Sequence, residues 1–253
     1  MSSSSLPLDG QAAIVTGSSR NVGRAIALAL AADGAAVVVN ARSDEDGATA
    51  VVAEIEAAGG KAIKHMADVT DEACVDAMAK ACIDAFGGIH ILINNAAIRR
   101  QQAIETMSLA DWRAVTAVIL DAAFLCARAS LPHMAAAGGG AIVNIGGISA
   151  HFGAVDRPHV VAAKAGVIGL TKAIAVDYAA RNVRANCVVP GTMDTTRGEN
   201  AHPVAPHPGG HQALIDRLGT PEELAAAVRY LCSPDAAYIT GQTLHVNGGR
   251  YLP

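Results

Sequence analysis

Residues 16–23 read Thr-Gly-Ser-Ser-Arg-Asn-Val-Gly and lie between an apolar run at 12–15 and a run of helical spacing at 25–30. Glycines at such a strand-to-helix turn allow the backbone to pass close under a pyrophosphate group. The charge of that group then faces the free N–H groups and the positive end of the following helix. A glycine-rich turn can also serve plain chain reversal, but this context favours a dinucleotide-binding site.

Four further motifs support the same interpretation. They are Asp68-Val69, Asn94-Asn95-Ala96-Ala97, Pro190-Gly191 and Val246-Asn247-Gly248-Gly249. Together with the loop, they resemble the short-chain dehydrogenase/reductase family over almost the whole chain. One departure is Asn21, which stands at the middle glycine of the family loop. Asparagine tolerates a positive φ well, so we expect the turn to survive with this side chain directed away from the phosphates.

Length and composition favour one α/β domain spanning residues 1–253, of which 51% are hydrophobic. The net charge of −4 comes without a basic cluster, which argues against nucleic acid and anionic membranes as partners. No apolar run approaches the ~18 residues of a membrane span, so we expect a soluble, cytoplasmic protein. The five cysteines are scattered and lack C-x-x-C spacing, which predicts reduced thiols rather than disulfides or structural zinc.

Apolar runs alternate with helical patterns along the chain. We predict strands at 12–15, 35–40, 62–66, 89–93, 141–145, 184–188 and 243–246, and helices at 22–32, 48–58, 71–86, 112–129, 158–180 and 221–232, with Pro132 ending the pattern of the fourth helix. This alternation predicts a doubly wound parallel sheet of Rossmann type with helices on both faces. We also expect a flexible N-terminus at 1–7 and a proline- and glycine-rich substrate lid at 196–213.

The residues after the second strand indicate the cofactor. Asn40-Ala41-Arg42-Ser43 carries no acid to bind ribose hydroxyls, and Arg20 lies nearby in the loop. Two arginines suit a 2′-phosphate, so we predict NADP(H), with solvated surface arginines as the alternative. The resemblance implies that the cofactor meets Gly17, Ser19, Arg20, Val22, Gly23, Asn40, Arg42, Ser43, Asp68, Val69, Asn95, Ala96, Lys164, Pro190, Gly191 and Thr195.

The resemblance also implies four catalytic side chains, and three of them are absent. Lys164 matches the family lysine, but Val160 stands four residues earlier, where the tyrosine acid/base belongs. Gly147, thirteen residues before Val160, occupies the serine position, and Ile119, seven residues after the tryptophan of its helix, occupies the asparagine position. Because a positioned acid contributes roughly 10²–10⁴ in rate, hydride transfer by the family's usual route is disfavoured.

Candidate replacements lie close by. His159 adjoins the empty tyrosine position, although one residue along a helix turns a side chain by about 100° from the face of Lys164. Ser149 and His151 follow the empty serine position on a predicted loop. Each could equally be a loop residue bonded to backbone.

Other polar residues stand near the expected substrate pocket. Arg99 and Arg100 could bind a substrate anion or could be an exposed pair. His202, His207 and His211 have spacings possible for zinc, but without cysteines or paired acids we predict no metal site.

Three hypotheses follow for the function. The first is an NADP(H)-dependent oxidoreductase acting on a small hydroxyl or carbonyl compound, anionic or neutral, with His159 or His151 as acid/base. The second is a non-redox lyase, hydratase or hydrolase on the same scaffold. The third is an inactive nucleotide-binding subunit paired with an active paralogue. By family resemblance we expect a homotetramer that uses the long helices and the C-terminal segment.

Overall fold

The computed structural model describes residues 6–195 and 212–253, and its centre is a parallel sheet. The strands are β1 (Ala12–Val15), β2 (Ala36–Ala41), β3 (Lys61–Met66), β4 (Ile91–Asn94), β5 (Gly140–Ile145), β6 (Val183–Pro190) and β7 (Thr243–Val246). Within the described residues they pair in the order β3-β2-β1-β4-β5-β6-β7, every pair parallel. The predicted parallel sheet is confirmed, and the order reverses between β1 and β4, where nucleotides bind in such folds.

Helices cover both faces of the sheet. They are α1 (Asn21–Ala32), α2 (Glu45–Ala57), α3 (Glu72–Phe86), α4 (Leu109–Thr116), α5 (Ala122–Ala136), α6 (Ser149–Phe152), α7 (Pro158–Tyr178) and α8 (Pro221–Cys232). One core lies under α1, α2 and α8 and includes Ile26 and Val228. The other lies under α3, α5 and α7 and includes Met78 and Ile174. The predicted doubly wound arrangement is therefore confirmed.

Two local predictions are wrong. Pro132 does not end its helix, because α5 runs through it to Ala136. The neighbouring Leu131 and Met134 are buried against the sheet, and their packing holds the helix in spite of the missing N–H. Ser149 and His151 lie on the short helix α6 rather than on a loop.

The long helices are more apolar than the sequence reading suggested. Two helical stretches, Leu109–Ala136 and Pro158–Arg181, are long and apolar enough to cross a membrane by length and composition alone. Alanine raises their mean hydropathy without forming an unbroken run of large apolar residues. Both stretches contribute residues to the second core, and core helices of globular proteins commonly pass the same test.

Four of the five cysteines are buried free thiols and Cys74 is partly exposed, as predicted for reduced side chains. The predicted N-terminal tail falls mostly outside the described residues, and so does almost the whole predicted lid. His202, His207 and His211 lie outside them as well. Among the residues that the structure does describe, no three His, Cys, Asp or Glu side chains come together in a group that could hold a metal.

Candidate active site

The loop between β1 and α1 has no room for side chains at two of its glycines. Gly17 adopts a φ of +61°. A Cβ atom at Gly23 would lie 2.2 Å from the Gly17 carbonyl oxygen and 2.6 Å from Asn95 Nδ2. Asn21 adopts a φ of +51°, which confirms that asparagine can replace the family glycine at this turn. The loop therefore keeps the close backbone path that a pyrophosphate requires.

Buried side chains from β1 and the end of β4 hold this loop in place. The Thr16 hydroxyl donates to Ile93 O and accepts hydrogen bonds from the backbone N–H groups of Asn95 and Ala96, both at 3.0 Å. Asn95 Nδ2 donates to Thr16 O and Gly17 O, each at 2.9 Å. The Asn95 amide thus supports the loop, and the backbone at Ala96 lies 3.0 Å from where a Gly17 Cβ would stand.

Asn40 has a similar supporting role. It is buried at the end of β2, where its Oδ1 accepts from Gly17 N at 3.2 Å. Its Nδ2 donates to the carbonyl oxygens of His65 and Ala67. Both polar atoms of the Asn40 amide make hydrogen bonds within the protein, so this side chain affects nucleotide binding through the shape of the loop.

The adenosine end of the groove carries charged, accessible side chains. Arg42 is exposed and its guanidinium lies 3.9 Å from Asp68 Oδ2. The other Asp68 oxygen accepts from the Thr70 backbone and hydroxyl, and these bonds together with Arg42 keep its pKa low although partial burial opposes them. Five other predicted contacts belong to this end: Ser19 and Val22 are half-buried, Arg20 and Ser43 are exposed, and Val69 is buried.

The far end of the groove is formed by the turn after β6. Gly191 N donates to Val246 O, and a Cβ at Gly191 would lie 2.7 Å from Asn247 Cα. Pro190 and Thr195 are half-buried on this turn. The motifs at 190–191 and 246–249 are therefore packed directly against each other.

The three positions that lack catalytic side chains have become apolar. Ile119 and Val160 belong to one buried cluster with Val115, Ala163 and Val167. Gly147 leaves space that the lysine stem fills, since a Cβ there would lie 3.3 Å from Lys164 Cγ. Hydrocarbon from α4, α5 and α7 thus replaces the polar groups that the family resemblance led us to look for.

Lys164 is the polar group that remains at this position. It is buried, and its ammonium donates to Ile145 O at the end of β5. Its pKa is lowered to about 8, mainly by burial and in smaller part by the charge of Arg99, while Cys187 opposes the shift. The side chain is therefore a cation at neutral pH that loses its proton in mildly alkaline solution.

His159 lies at the first turn of α7 with its ring completely buried. Neither ring nitrogen makes a hydrogen bond of normal geometry, and the nearest backbone group is that of Arg157. Burial is the main cause that lowers its pKa, helped by Arg100 and Arg157 and opposed by Asp111. The ring is neutral at pH 7, and it does not lie on the face of α7 that carries Lys164.

His151 and Ser149 lie on α6, with Ser149 buried. The half-buried His151 ring contacts the rings of His245 and Tyr251, with centroids 4.5 Å and 4.9 Å away. Burial lowers the pKa of His151, and its Nε2 has no hydrogen-bond partner. Sequence reasoning missed this ring cluster because its members come from α6, β7 and the C-terminal segment.

The two adjacent arginines diverge. Arg99 lies close enough to lower the pKa of Lys164, whereas Arg100 lies 3.8 Å from Asp111 Oδ1 on α4.

A cavity of about 650 Å³ opens beyond Gly191, between the segment 212–219 and the end of β7. Its walls include Thr192, Met193, Asn247 and Arg250. Of these four residues, Asn247 belongs to a motif identified in the sequence and the other three do not.

Comparison with known proteins gives matches over nearly the whole chain. A family model described as enoyl-(acyl carrier protein) reductase matches residues 17–250. The chain is 44% identical to a 3-oxoacyl-[acyl-carrier-protein] reductase from Synechocystis, covering 97% of this chain and 98% of that protein. It is 40% identical to the 3-oxoacyl-[acyl-carrier-protein] reductase FabG of Vibrio cholerae, covering 97% and 99%.

More distant matches carry other dehydrogenase names. The chain is 38% identical to 3beta-hydroxysteroid dehydrogenase 1 of Eggerthella lenta over 97% of its length and 95% of that protein. A crystal structure from Sinorhizobium meliloti, described as a short-chain alcohol dehydrogenase, superposes with a TM-score of 0.89 at 33% identity, covering 98% of both chains. The similarity therefore includes sequence, length and fold.

Proposed function

This chain belongs to the short-chain dehydrogenase/reductase family, and on that premise we propose that it is an NADP(H)-dependent oxidoreductase for a small hydroxyl or carbonyl compound. Its acid/base is a histidine instead of the family tyrosine. The reductase and dehydrogenase names of the relatives support redox chemistry over a lyase, hydratase or hydrolase reaction.

One observation carries the proposal: the dinucleotide cradle is intact. Gly17 and Gly23 leave no space for a side chain, and Thr16 and Asn95 fix the loop from below. Gly23 allows the start of α1 to pack directly under this turn, and that close packing is the backbone path that a pyrophosphate needs. The residues present therefore fit a pyrophosphate.

Arg42 and Arg20 support NADP(H) over NAD(H). Both are exposed at the adenosine end, and a guanidinium binds a phosphate through paired hydrogen bonds. Asp68 stands beside Arg42 and keeps it oriented at 3.9 Å. We infer that the 2′-phosphate is held there, with Ser43 as a further donor.

The bound cofactor supplies or accepts a hydride. Lys164 keeps a positive charge at neutral pH and uses one of three N–H donors on Ile145, which leaves two for the nicotinamide ribose. Its charge favours electron density developing on a substrate oxygen nearby. The apolar cluster of Ile119 and Val160 excludes water from the adjoining wall.

A proton must still be supplied at the substrate oxygen. His159 is the nearest in sequence to the empty tyrosine position, but its ring is completely buried, so the structure around it must shift before it meets substrate. His151 is half-buried and needs no such shift. Both rings are neutral near pH 7, so either one acts as the base that accepts the hydroxyl proton during alcohol oxidation. In the reverse direction the protonated ring donates a proton to the carbonyl oxygen.

We further propose a cytoplasmic homotetramer that consists of single-domain subunits, in which the segment 196–213 covers the substrate. The proposal is tested first by fluorescence titration with NADPH and with NADH. We expect NADPH to bind at least tenfold more tightly, and Arg42→Gln to remove the preference. Absence of binding by either nucleotide would contradict the proposal.

Turnover is then followed at the nicotinamide absorbance with a panel of small ketones, aldehydes, alcohols and oxo acids. His159→Ala and His151→Ala identify the acid/base, because the variant that loses it should drop in rate by roughly 10²–10⁴. Rates that remain unchanged in both variants would remove histidine from this role. His133→Ala, on the exposed last turn of α5, is the control.

A further inference from the structure

The N-terminus of α7 carries an uncapped positive end. The helix is 21 residues long, begins at Pro158, and has Arg157 as its N-cap without any capping side chain. Its first backbone hydrogen bond runs from Val161 N to Arg157 O at 2.9 Å. The preceding N–H groups and the helix dipole together favour an anion at this end.

A second, independent feature indicates a missing ligand at the same place. His159 is completely buried, yet neither ring nitrogen makes a hydrogen bond of normal geometry, and the Arg157 backbone is a weak partner of the ring. A buried polar group left unpaired is costly, and such groups are usually explained by an absent water, ion or ligand. The ring therefore has unused hydrogen-bonding capacity beside the helix end.

The surrounding side chains are mostly cationic. The charges of Arg100 and Arg157 both act on the His159 ring, and Arg99 acts on Lys164 further along the same helix. The one carboxylate that acts on His159 is that of Asp111, which accepts a hydrogen bond from Ser108 Oγ at 2.6 Å. Gln102 N donates to Asp156 O at 2.7 Å and fastens the segment carrying Arg99 and Arg100 to the turn before α7.

We propose that this α7 anion site, made by Arg100, Arg157, His159 and the first turn of α7, binds a carboxylate or phosphate group of the substrate. The assignment deepens the proposed function, rests on it for the identity of the ligand, and leaves the acid/base role to His151. Five residues separate His159 from Lys164, a rise of about 7.5 Å along the helix. The site therefore suits a small oxo or hydroxy acid, or the equivalent phosphate, whose reacting carbon lies toward Lys164.

Anion binding at this place should take up a proton. Arg100 and Arg157 lower the pKa of His159 in the empty site, and Asp111 raises it. A bound anion favours the imidazolium form, so affinity should increase as the pH falls from 8 to 5.5. Sulfate is the appropriate probe for this dependence because its own charge is constant over that range.

The test is calorimetric titration of the full chain, saturated with NADPH, with sulfate, phosphate and malonate in a chloride-matched buffer. We expect Arg157→Gln to weaken binding at least fivefold, Arg157→Lys to restore most of it, and Arg181→Gln, three residues beyond the far end of α7, to leave it unchanged. His159→Phe, which fills the buried space without orphan nitrogens, should fold normally and abolish the pH dependence.

Preference for sulfate and phosphate would identify the natural anion as a phosphate, and preference for malonate would identify a carboxylate. No binding of any probe, or equal binding by wild type and Arg157→Gln, would overturn the inference. If NADPH does not bind, only the proposed function fails. The titration is then repeated without nucleotide, where Arg42→Gln reports the cofactor groove and Arg157→Gln reports the α7 anion site.

Discussion

Gly23 controls whether this chain can bind a dinucleotide. A side chain there would meet the Gly17 carbonyl oxygen at 2.2 Å and Asn95 Nδ2 at 2.6 Å, both of which are fixed by the buried frame under the loop. The loop must therefore shift to accept even a methyl group. We expect Gly23→Ala to weaken NADPH binding at least tenfold in a fluorescence titration.

The matched control for this change is Gly169→Ala on α7. Gly169 is exposed and nothing lies within 4 Å of where its Cβ would stand. Alanine should stabilise this helix by up to about 1 kcal/mol and leave NADPH affinity unchanged. An unaltered affinity in Gly23→Ala would mean that the nucleotide does not approach this loop.

Lys164 should make cofactor binding depend on pH. Burial lowers its pKa to about 8, so the ammonium loses its proton as the pH rises through that value. The attraction to the anionic cofactor then weakens, whereas the unfolding free energy rises above pH 8 because the unfolded chain keeps the proton longer. We expect NADPH affinity to fall between pH 7 and 9.5.

Two variants separate this effect from general electrostatics. Lys164→Met should bind NADPH more weakly at pH 7 and show little further loss up to pH 9.5. Arg42→Gln should bind more weakly at every pH but keep the wild-type slope. A flat wild-type profile would show that the lysine charge does not contribute to binding.

At the scale of elements, the segment Ala117–Asp121 between α4 and α5 is wound as a π-helix. Such segments often occur at functional sites, where they aim a side chain. Here the side chain so aimed is Ile119, which packs with Val115 and Val160. Hydrocarbon therefore occupies the position at which the family resemblance implies an asparagine.

This packing predicts that the family residue is no longer tolerated. Ile119→Asn would bury an amide against Val115 and Val160, and we expect it to lower the unfolding free energy by about 2–4 kcal/mol in urea denaturation. Ile119→Val should cost only about 0.5–1.5 kcal/mol. Equal stability of the asparagine variant and wild type would mean that a polar partner is available there.

Sequence patterns predicted the positions of most helices and strands, but not the long-range contacts made by their side chains. The bounds of β1, α8 and β7 were predicted to the residue, because glycine, proline and alternating apolar runs act locally. The continuation of α5 through Pro132 depends on long-range packing and was missed. The supporting role of Asn40 likewise depends on β3, and the charges that act on His159 include those of Arg100 and Asp111, which are distant in sequence.

At the scale of the molecule, motifs at both ends of the chain predict the fold and the proposed nucleotide groove. The exposed apolar side chains on the outer surface suit contacts with other subunits. Val176 on α7 is 79% exposed and Phe124 on α5 is 48% exposed, both on the sheet face covered by α3, α5 and α7. Apolar side chains exposed on adjacent helices are typical of subunit interfaces. β7 is an edge strand, and Leu244 and Leu252 are exposed near it.

The family resemblance leads us to expect a tetramer, and these two surfaces predict that α5 and α7 form one of its contacts and the C-terminal segment the other. Val176→Glu should place a charge in the helical contact and reduce the tetramer to dimers, measured by sedimentation velocity at micromolar concentration. Ala57→Glu adds the same charge on α2, on the opposite face of the sheet, and should leave the tetramer intact. A wild-type monomer, or a Val176→Glu protein that still sediments as a tetramer, would contradict the predicted contact. Because the C-terminal contact remains in the dimer, the ring cluster of His151, His245 and Tyr251 should persist there, and NADPH affinity should change less than threefold.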